Sequence, residues 1–167
     1  MRKYVAYVLT GLFLVTGVLL AFSSGALAQP TAGSLMKEDV FTPLAKGYDF
    51  LGQGNYPAAR FEFQEAVKRD PDNSFALNNL AVLDEREGKL KDAMSFLQQA
   101  TLHAAQYKDK VQMTCFVGGL CTAAKPVRQL GPTSAIAPIV QENITRLQEK
   151  MAQAPAAPQP STPPKMK

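Results

Sequence analysis

The chain has 167 residues, the length of one domain, with 18 basic and 14 acidic residues and a formal net charge of +4. Hydrophobic residues make up 46% and charged residues 19%, which excludes a wholly disordered chain and a long coiled coil. With 11 Gly, 12 Pro and 2 Cys, the collagen-like and disulfide-dense classes are excluded as well.

The first 28 residues have the pattern of an export signal. Arg2 and Lys3 precede an apolar run, and Ala26-Leu27-Ala28 is the small-x-small pattern of a signal-peptidase site. This pattern predicts cleavage before Gln29 and a periplasmic protein. The alternative is an inner-membrane anchor with the chain facing the periplasm, because the uncharged run of residues 5–22 is just long enough to span a bilayer.

The rest of the chain has little net charge. Without the two basic residues of the signal, 16 basic and 14 acidic residues remain, and they form no dense basic cluster. Nucleic-acid binding needs a concentrated positive surface, so no nucleic-acid partner is expected.

Short breaks divide residues 40–107 into four predicted helices. Thr42-Pro43 is typical of a cap followed by the first helical position, and Gly54-Asn55 of a tight turn. Asp70-Pro71 separates the second helix from the third, and Gly88 ends the third. Helices of about a dozen residues joined by short turns predict two antiparallel helix hairpins.

The two predicted hairpins repeat after 34 residues. Four pairs of identical residues share that spacing: Gly54 and Gly88, Ala59 and Ala93, Gln64 and Gln98, Ala66 and Ala100. A helix–turn–helix unit of this period resembles the tetratricopeptide repeat. The resemblance covers residues 40–73 and 74–107, and the second unit departs from the pattern at Asp84 and Ala105.

The resemblance implies an all-α fold, a short α-solenoid of two helix hairpins that follows a lead segment at residues 29–39. Because each unit buries its face against a neighbour, we expect C-terminal capping helices over residues 108–152. Lys108–Val117 is interpreted as a further helix that ends at Gly118-Gly119, and residues 125–132 as a loop. Residues 153–167, rich in Ala, Pro and Lys, predict an extended tail.

Apolar residues at helical spacing predict an amphipathic helix near the C-terminus: Ile136, Ile139, Val140, Ile144, Leu147 and Met151. We interpret this helix as a cap on the repeats; the alternative is a docking helix for a partner. Asn143-Ile144-Thr145 matches a glycosylation sequon inside this helix and is interpreted as a chance match.

The resemblance also implies a groove for a protein or peptide partner, formed by the first helix of each unit. The corresponding positions are Phe41, Leu44, Tyr48, Leu51, Phe75, Asn78, Asn79, Val82 and Arg86. Tyr48 and Val82 are one period apart, and the two asparagines offer donors and acceptors to a peptide backbone. Only Asn79 fits a charged clamp for a terminal carboxylate, so that mode is disfavoured. The alternative is that the first-unit side chains pack beneath residues 34–39.

No pattern predicts an enzyme, a cofactor or a metal site. His103 falls near a helix end and lacks a nucleophile motif around it. The acidic residues Asp84, Glu85 and Glu87 are interpreted as a solvated helix face.

Cys115 and Cys121 are expected to form a disulfide bond. Paired cysteines are usual in exported chains, and Gly118-Gly119 between them provides the bend that a bond needs. Closing this short loop should contribute roughly 2–2.5 kcal/mol.

The leading functional hypothesis is a non-enzymatic adaptor or scaffold of the bacterial cell envelope that binds a partner through the repeat groove. The alternative is a structural subunit of a permanent envelope, secretion or pilus-type complex, or of a homo-oligomer.

Overall fold

A computed structural model describes residues 36–115 and 122–153, which form five α-helices and two β-strands. In chain order they are α1 (Glu38–Gly52), α2 (Tyr56–Arg69), α3 (Ser74–Arg86), α4 (Leu90–His103), β1 (Asp109–Cys115), β2 (Thr122–Leu130) and α5 (Ile136–Gln153). A 3₁₀ turn, Ala104–Gln106, follows α4. α1 packs on α2 and α3 on α4, so both predicted helix hairpins are present.

Helix α1 begins at Glu38, one turn before the predicted cap at Thr42. Pro43 therefore lies inside the helix, where it has no N–H for the carbonyl of Asp39, four residues earlier. Arg69 of α2 donates to that carbonyl instead, over 2.5 Å. The predicted helix start was wrong because a side chain from the neighbouring helix satisfies the group that the proline leaves open.

The turns inside the two helix hairpins have the same backbone conformation. Gly54 and Gly88 both have positive φ, 75° and 76°, the left-handed conformation that glycine adopts without strain. Asn55 and Asn73 cap α2 and α3, and each side chain accepts a hydrogen bond from a main-chain N–H three residues later. The turn signals at Gly54-Asn55 and Gly88 thus act as predicted.

The first helix hairpin is held by a close approach between its helices. A Cβ atom added to Gly47 would lie 2.6 Å from Cε1 of Phe63, which is fully buried.

The second unit departs from the repeat pattern at Asp84, and the structure gives the reason. The Asp84 carboxylate pairs with Arg60 of α2 over 2.7 Å, so an ion pair links the two units at this position.

The all-α prediction is wrong at residues 109–115 and 122–130, which are strands. The predicted helix at Lys108–Val117 is β1 as far as Cys115, and the predicted loop at 125–132 is mostly β2. The two strands pair antiparallel, with Met113 opposite Ala124, in a β-hairpin. β-Branched Val111 and Thr114 favour a strand. The pairing of residues 109–115 with 122–130, however, could not be read from helical spacing of apolar residues.

The predicted amphipathic helix is confirmed as α5. It packs against α4 and α3, and four of its predicted apolar residues are buried: Ile136, Ile139, Val140 and Leu147. The interpretation as a cap therefore agrees with its packing.

Within residues 36–115 and 122–153, no helix combines the length and the apolar character needed to cross a bilayer. The predicted signal segment, the tail from residue 154 and Cys121 fall outside the described residues. The cleavage before Gln29 and the disulfide bond accordingly stay predictions.

Candidate functional site

The predicted groove residues lie on α1 and α3, but most of them are covered. Seven of the nine are buried: Leu44, Tyr48, Leu51, Phe75, Asn78, Asn79 and Val82. Both helices contact β2, and α3 also contacts α5. In this structure the groove is therefore filled by the chain's own β-hairpin and last helix, and its side chains are not open to a partner.

The two other predicted groove residues face different neighbours. Arg86 is exposed and lies over the ring of Tyr56, 4.2 Å from its centroid, at the start of α2. Phe41 is half-buried beneath Arg128 of β2, at 4.0 Å. Lys125 and Arg128 of β2 lie over the rings of Tyr48 and Phe41. Residues 34 and 35 fall outside the described part of the chain, so packing of first-unit side chains under residues 34–39 stays a prediction.

Three buried asparagines, Asn78, Asn79 and Asn143, hold β2; we call them the asparagine cradle. Asn79 donates to the carbonyl of Ala124 over 2.8 Å and accepts from its N–H over 2.9 Å. Asn78 donates to the carbonyl of Thr122 over 2.9 Å. These contacts reach only main-chain atoms, so the cradle recognises an extended backbone.

Asn143 completes the cradle from α5. It accepts from the N–H of Thr122 over 2.7 Å, donates to the Thr122 carbonyl over 2.9 Å, and donates to Oδ1 of Asn78 over 2.8 Å. Its side chain is fully buried. The amides of α3 and α5 thus form one network around two residues of β2, and a buried network of this kind is stable only when its groups are paired.

Sequence reasoning missed Asn143, although a signal was present. The residue is three positions after Val140 and four before Leu147, so it falls on the buried side of α5. A lone amide among apolar helix positions predicts a buried hydrogen-bonding role.

Two basic side chains attach β2 to α1. Lys125 pairs with Asp49 over 3.1 Å and lies 5.2 Å from the centroid of the Tyr48 ring. Arg128 forms an ion pair with Glu38 and donates to the carbonyl of Met36. Four elements therefore meet on this face, because α1 and α3 hold one strand together with α5.

The hydroxyl of Tyr48 is buried and, among the described residues, makes no hydrogen bond. A buried polar group without a partner lowers stability. The predicted anchor for a partner is thus an aromatic ring packed within the chain, with its polar end unsatisfied.

The acidic residues at the end of α3 are not the solvated face that the sequence predicted. Asp84 and Glu85 are buried, and only Glu87 is exposed. Lys150 of α5 pairs with Glu85 over 2.6 Å, which ties the last helix to α3. Lys89 and Arg60 lower the pKa of Glu87 through hydrogen bonds to its carboxylate.

Tyr107 and Asp109 lie where the repeats meet the β-hairpin. The Tyr107 hydroxyl donates to Asp70 over 2.9 Å, and burial, together with that hydrogen bond, raises the pKa of Tyr107. Asp109 accepts from the N–H of Met36 over 3.3 Å, and burial raises the pKa of this carboxyl. These contacts anchor the junction between the repeats and the β-hairpin.

Among residues 36–115 and 122–153, no group of three or more His, Cys, Asp or Glu side chains could hold a metal ion. The paired helices, the turn glycines and the 34-residue period define the class of protein as a helical-repeat protein.

A comparison with known families covers part of the chain. Residues 50–114 match the family described as tetratricopeptide repeat, and this match confirms the resemblance stated from the sequence. Repeats of this family generally mediate protein–protein interaction. Neither among the curated proteins nor among the solved structures does the chain find a match.

Proposed function

We propose that the chain is a non-enzymatic protein-interaction scaffold of the bacterial cell envelope. One observation carries the proposal: the asparagine cradle binds an extended main chain on a tetratricopeptide-repeat face. The hydrogen bonds described above from the cradle to β2 reach main-chain N–H and C=O groups, so its chemistry suits polypeptide rather than a small molecule.

The position of β2 limits how a partner can bind. A partner that uses Tyr48, Asn78, Asn79 and Val82 must first displace β2, together with the ion pairs of Lys125 and Arg128. Binding at these side chains therefore stays a prediction, and surfaces that leave β2 in place are the simpler route to a partner.

The proposed location is the periplasm. It rests on the signal pattern of residues 1–28 and on cleavage before Gln29. N-terminal sequencing of the chain from fractionated cells should return Gln29 in the soluble periplasmic fraction. Recovery of Met1 in the membrane pellet would instead establish the anchored form.

Co-purification tests the scaffold role. The chain, with its own signal and a C-terminal tag, is purified from periplasmic and membrane fractions after mild cross-linking. Each protein recovered is then purified alone and titrated against the mature chain by calorimetry. We expect one protein to bind again with a defined stoichiometry.

Light scattering on the purified mature chain separates the two hypotheses stated from the sequence. A stable monomer that binds another protein supports the scaffold. An obligate oligomer that binds no recovered protein overturns it in favour of the permanent structural subunit.

A further inference from the structure

The two edges of the β-hairpin differ in how their main-chain groups are satisfied. Both main-chain groups of Ala124 bond to Asn79, so they point away from β1. In an antiparallel ladder, residues opposite each other share this orientation. Met113, opposite Ala124, therefore directs its own N–H and C=O away from β2, towards the outer edge of β1.

The same alternation applies two residues earlier. Val111 is opposite Pro126, and a proline fits there because no ladder bond needs its missing N–H. Val111 and Met113 thus present four main-chain groups along the outer edge. Within the described part of the chain, no hydrogen bond from another element reaches these groups.

The outer edge is also accessible from solvent. The Met113 side chain is 60% exposed, and Lys110 and Gln112 beside it are exposed. The inner edge of β2 is covered by the asparagine cradle, whereas β1 offers an open row of donors and acceptors. Such a row is a template for an added strand.

The charges beside the outer edge of β1 indicate what kind of strand would bind there. Of the four basic residues in residues 108–130, Lys125 and Arg128 pair with acids of α1. Lys108 and Lys110 form no ion pair with any described residue. Asp109 between them is only 2% exposed, so its carboxyl is not available on the surface. The open edge therefore carries unpaired positive charge at its start.

We propose that β1 accepts an acidic extended segment of a partner protein by strand addition along Val111 and Met113, with the carboxylates next to Lys108 and Lys110. The inference rests on the proposed function and names its surface and class of partner. A second copy of β1 is disfavoured because it would bring the same lysines to the shared edge, and lysine on an edge strand opposes self-pairing.

Binding of synthetic peptides to the full mature chain tests the inference. The probe is a seven-residue peptide that alternates Val and Glu, and the control alternates Val and Lys. We expect the acidic peptide to bind at least about tenfold more tightly. It should also slow hydrogen exchange at the main-chain N–H of Val111 and Met113. Equal binding of the two peptides, or protection confined to other residues, would overturn the proposal.

Matched variants locate the contact. Lys110→Glu should weaken the acidic peptide at least about tenfold, whereas Lys91→Glu, the same charge change on exposed α4, should leave its affinity within about twofold. Met113→Pro removes one outward N–H without removing a bond to β2 and should abolish the protection that the peptide gives to the Val111 N–H, while Met113→Ala keeps it. If Met113→Pro lowers the helical content, and so disturbs the fold, the Lys110→Glu variant alone tests the contact.

The co-purified protein distinguishes this inference from the proposed function. A partner that binds the wild-type chain and Lys110→Glu equally overturns the strand-addition site and leaves the scaffold intact. Tight binding of the acidic peptide without any recovered partner supports the site but counts against the scaffold.

Discussion

The repeat segment, α1–α4, and the C-terminal cap, made of β1, β2 and α5, are held by different forces. In the repeat segment, small and large apolar side chains interlock, as where Phe63 fills the space beside Gly47. In the cap, α5 also packs an apolar side against α3 and α4, whereas β2 is held by directional polar contacts, above all from the asparagine cradle. Loss of apolar packing should therefore weaken the whole fold, whereas loss of a cradle contact should first loosen the β-hairpin.

The contrast also separates the two edges of the β-hairpin. The inner edge is satisfied by side-chain amides that come from elements far apart in the chain. The outer edge has no such cover among the described residues, and its lysines are unpaired. One strand is thus built into the repeat face, and the other is left as a surface.

Phe63→Ala should have the largest effect, because it empties a fully buried site between α1 and α2. We expect the free energy of unfolding in urea to fall by about 3–5 kcal/mol. Phe61→Ala, on the same helix at a side chain 60% exposed, should change it by less than about 0.5 kcal/mol. Equal effects at the two sites would contradict the packing described for the repeats.

Asn79→Ala should have the next largest effect. It leaves the buried N–H and C=O of Ala124 without partners, and we expect the free energy of unfolding to fall by about 1–3 kcal/mol. Hydrogen exchange measured by NMR should rise at Ala124 while the N–H groups of α2 stay protected. Gln141→Ala, at an exposed position of α5, is the control. A uniform loss of protection would mean that the cap and the repeats unfold as one unit.

Two tyrosines should respond to loss of the hydroxyl with opposite signs. Tyr48→Phe removes a buried hydroxyl without a partner and should raise the free energy of unfolding by about 1 kcal/mol. Tyr107→Phe removes a hydrogen bond to Asp70 and should lower it by about 1–2 kcal/mol. Urea titrations of both variants at pH 7 make the comparison. A loss of stability in Tyr48→Phe would show that its hydroxyl has a partner in solution.

Asp109→Asn should have the smallest effect, and that effect depends on pH. Burial raises the pKa of Asp109 in the folded chain, so stability from this group is complete below the unfolded pKa and is lost as pH rises through the folded value. The variant keeps an acceptor for the N–H of Met36 and cannot ionise.

We therefore expect Asp109→Asn to be more stable than the wild-type chain at pH 7, with the difference shrinking as the pH falls through the ordinary range of an aspartate. Urea titrations at several pH values measure this difference. Asp92→Asn, at an exposed aspartate of α4, serves as the control. A difference that grows on acidification would contradict the direction of the pKa shift.

Most of the repeat segment could be predicted because its signals are local. Turn glycines, asparagine caps and apolar spacing each act over a few residues, and the 34-residue period repeats them. The start of α1 was not predicted because the group that compensates for Pro43 lies far along the chain. The Arg69 side chain, 26 positions after Pro43, donates to the carbonyl that the proline leaves without an N–H.

The cap could be predicted only in part. The spacing of apolar residues was enough to place α5, since amphipathic periodicity reports burial on one side of a helix. The strands were missed because a β-hairpin gains its stability from pairing between two segments, although residues 110–115 alternate polar and apolar side chains as a strand does. The sequence predicted the groove residues together, but it did not predict that β2 and α5 pack over this face.

The sequence by itself determined two repeat units, their turns and an amphipathic last helix, because each depends on contacts between near neighbours. Only the tertiary structure decided that the repeat face holds a strand of the same chain. The contacts that do this join residues 44, 45 and 65 positions apart, from Asn78 and Asn79 to β2 and from Asn143 to Asn78. An asparagine side chain can bond any main-chain N–H or C=O, so its partner is fixed only when the helices and strands pack together.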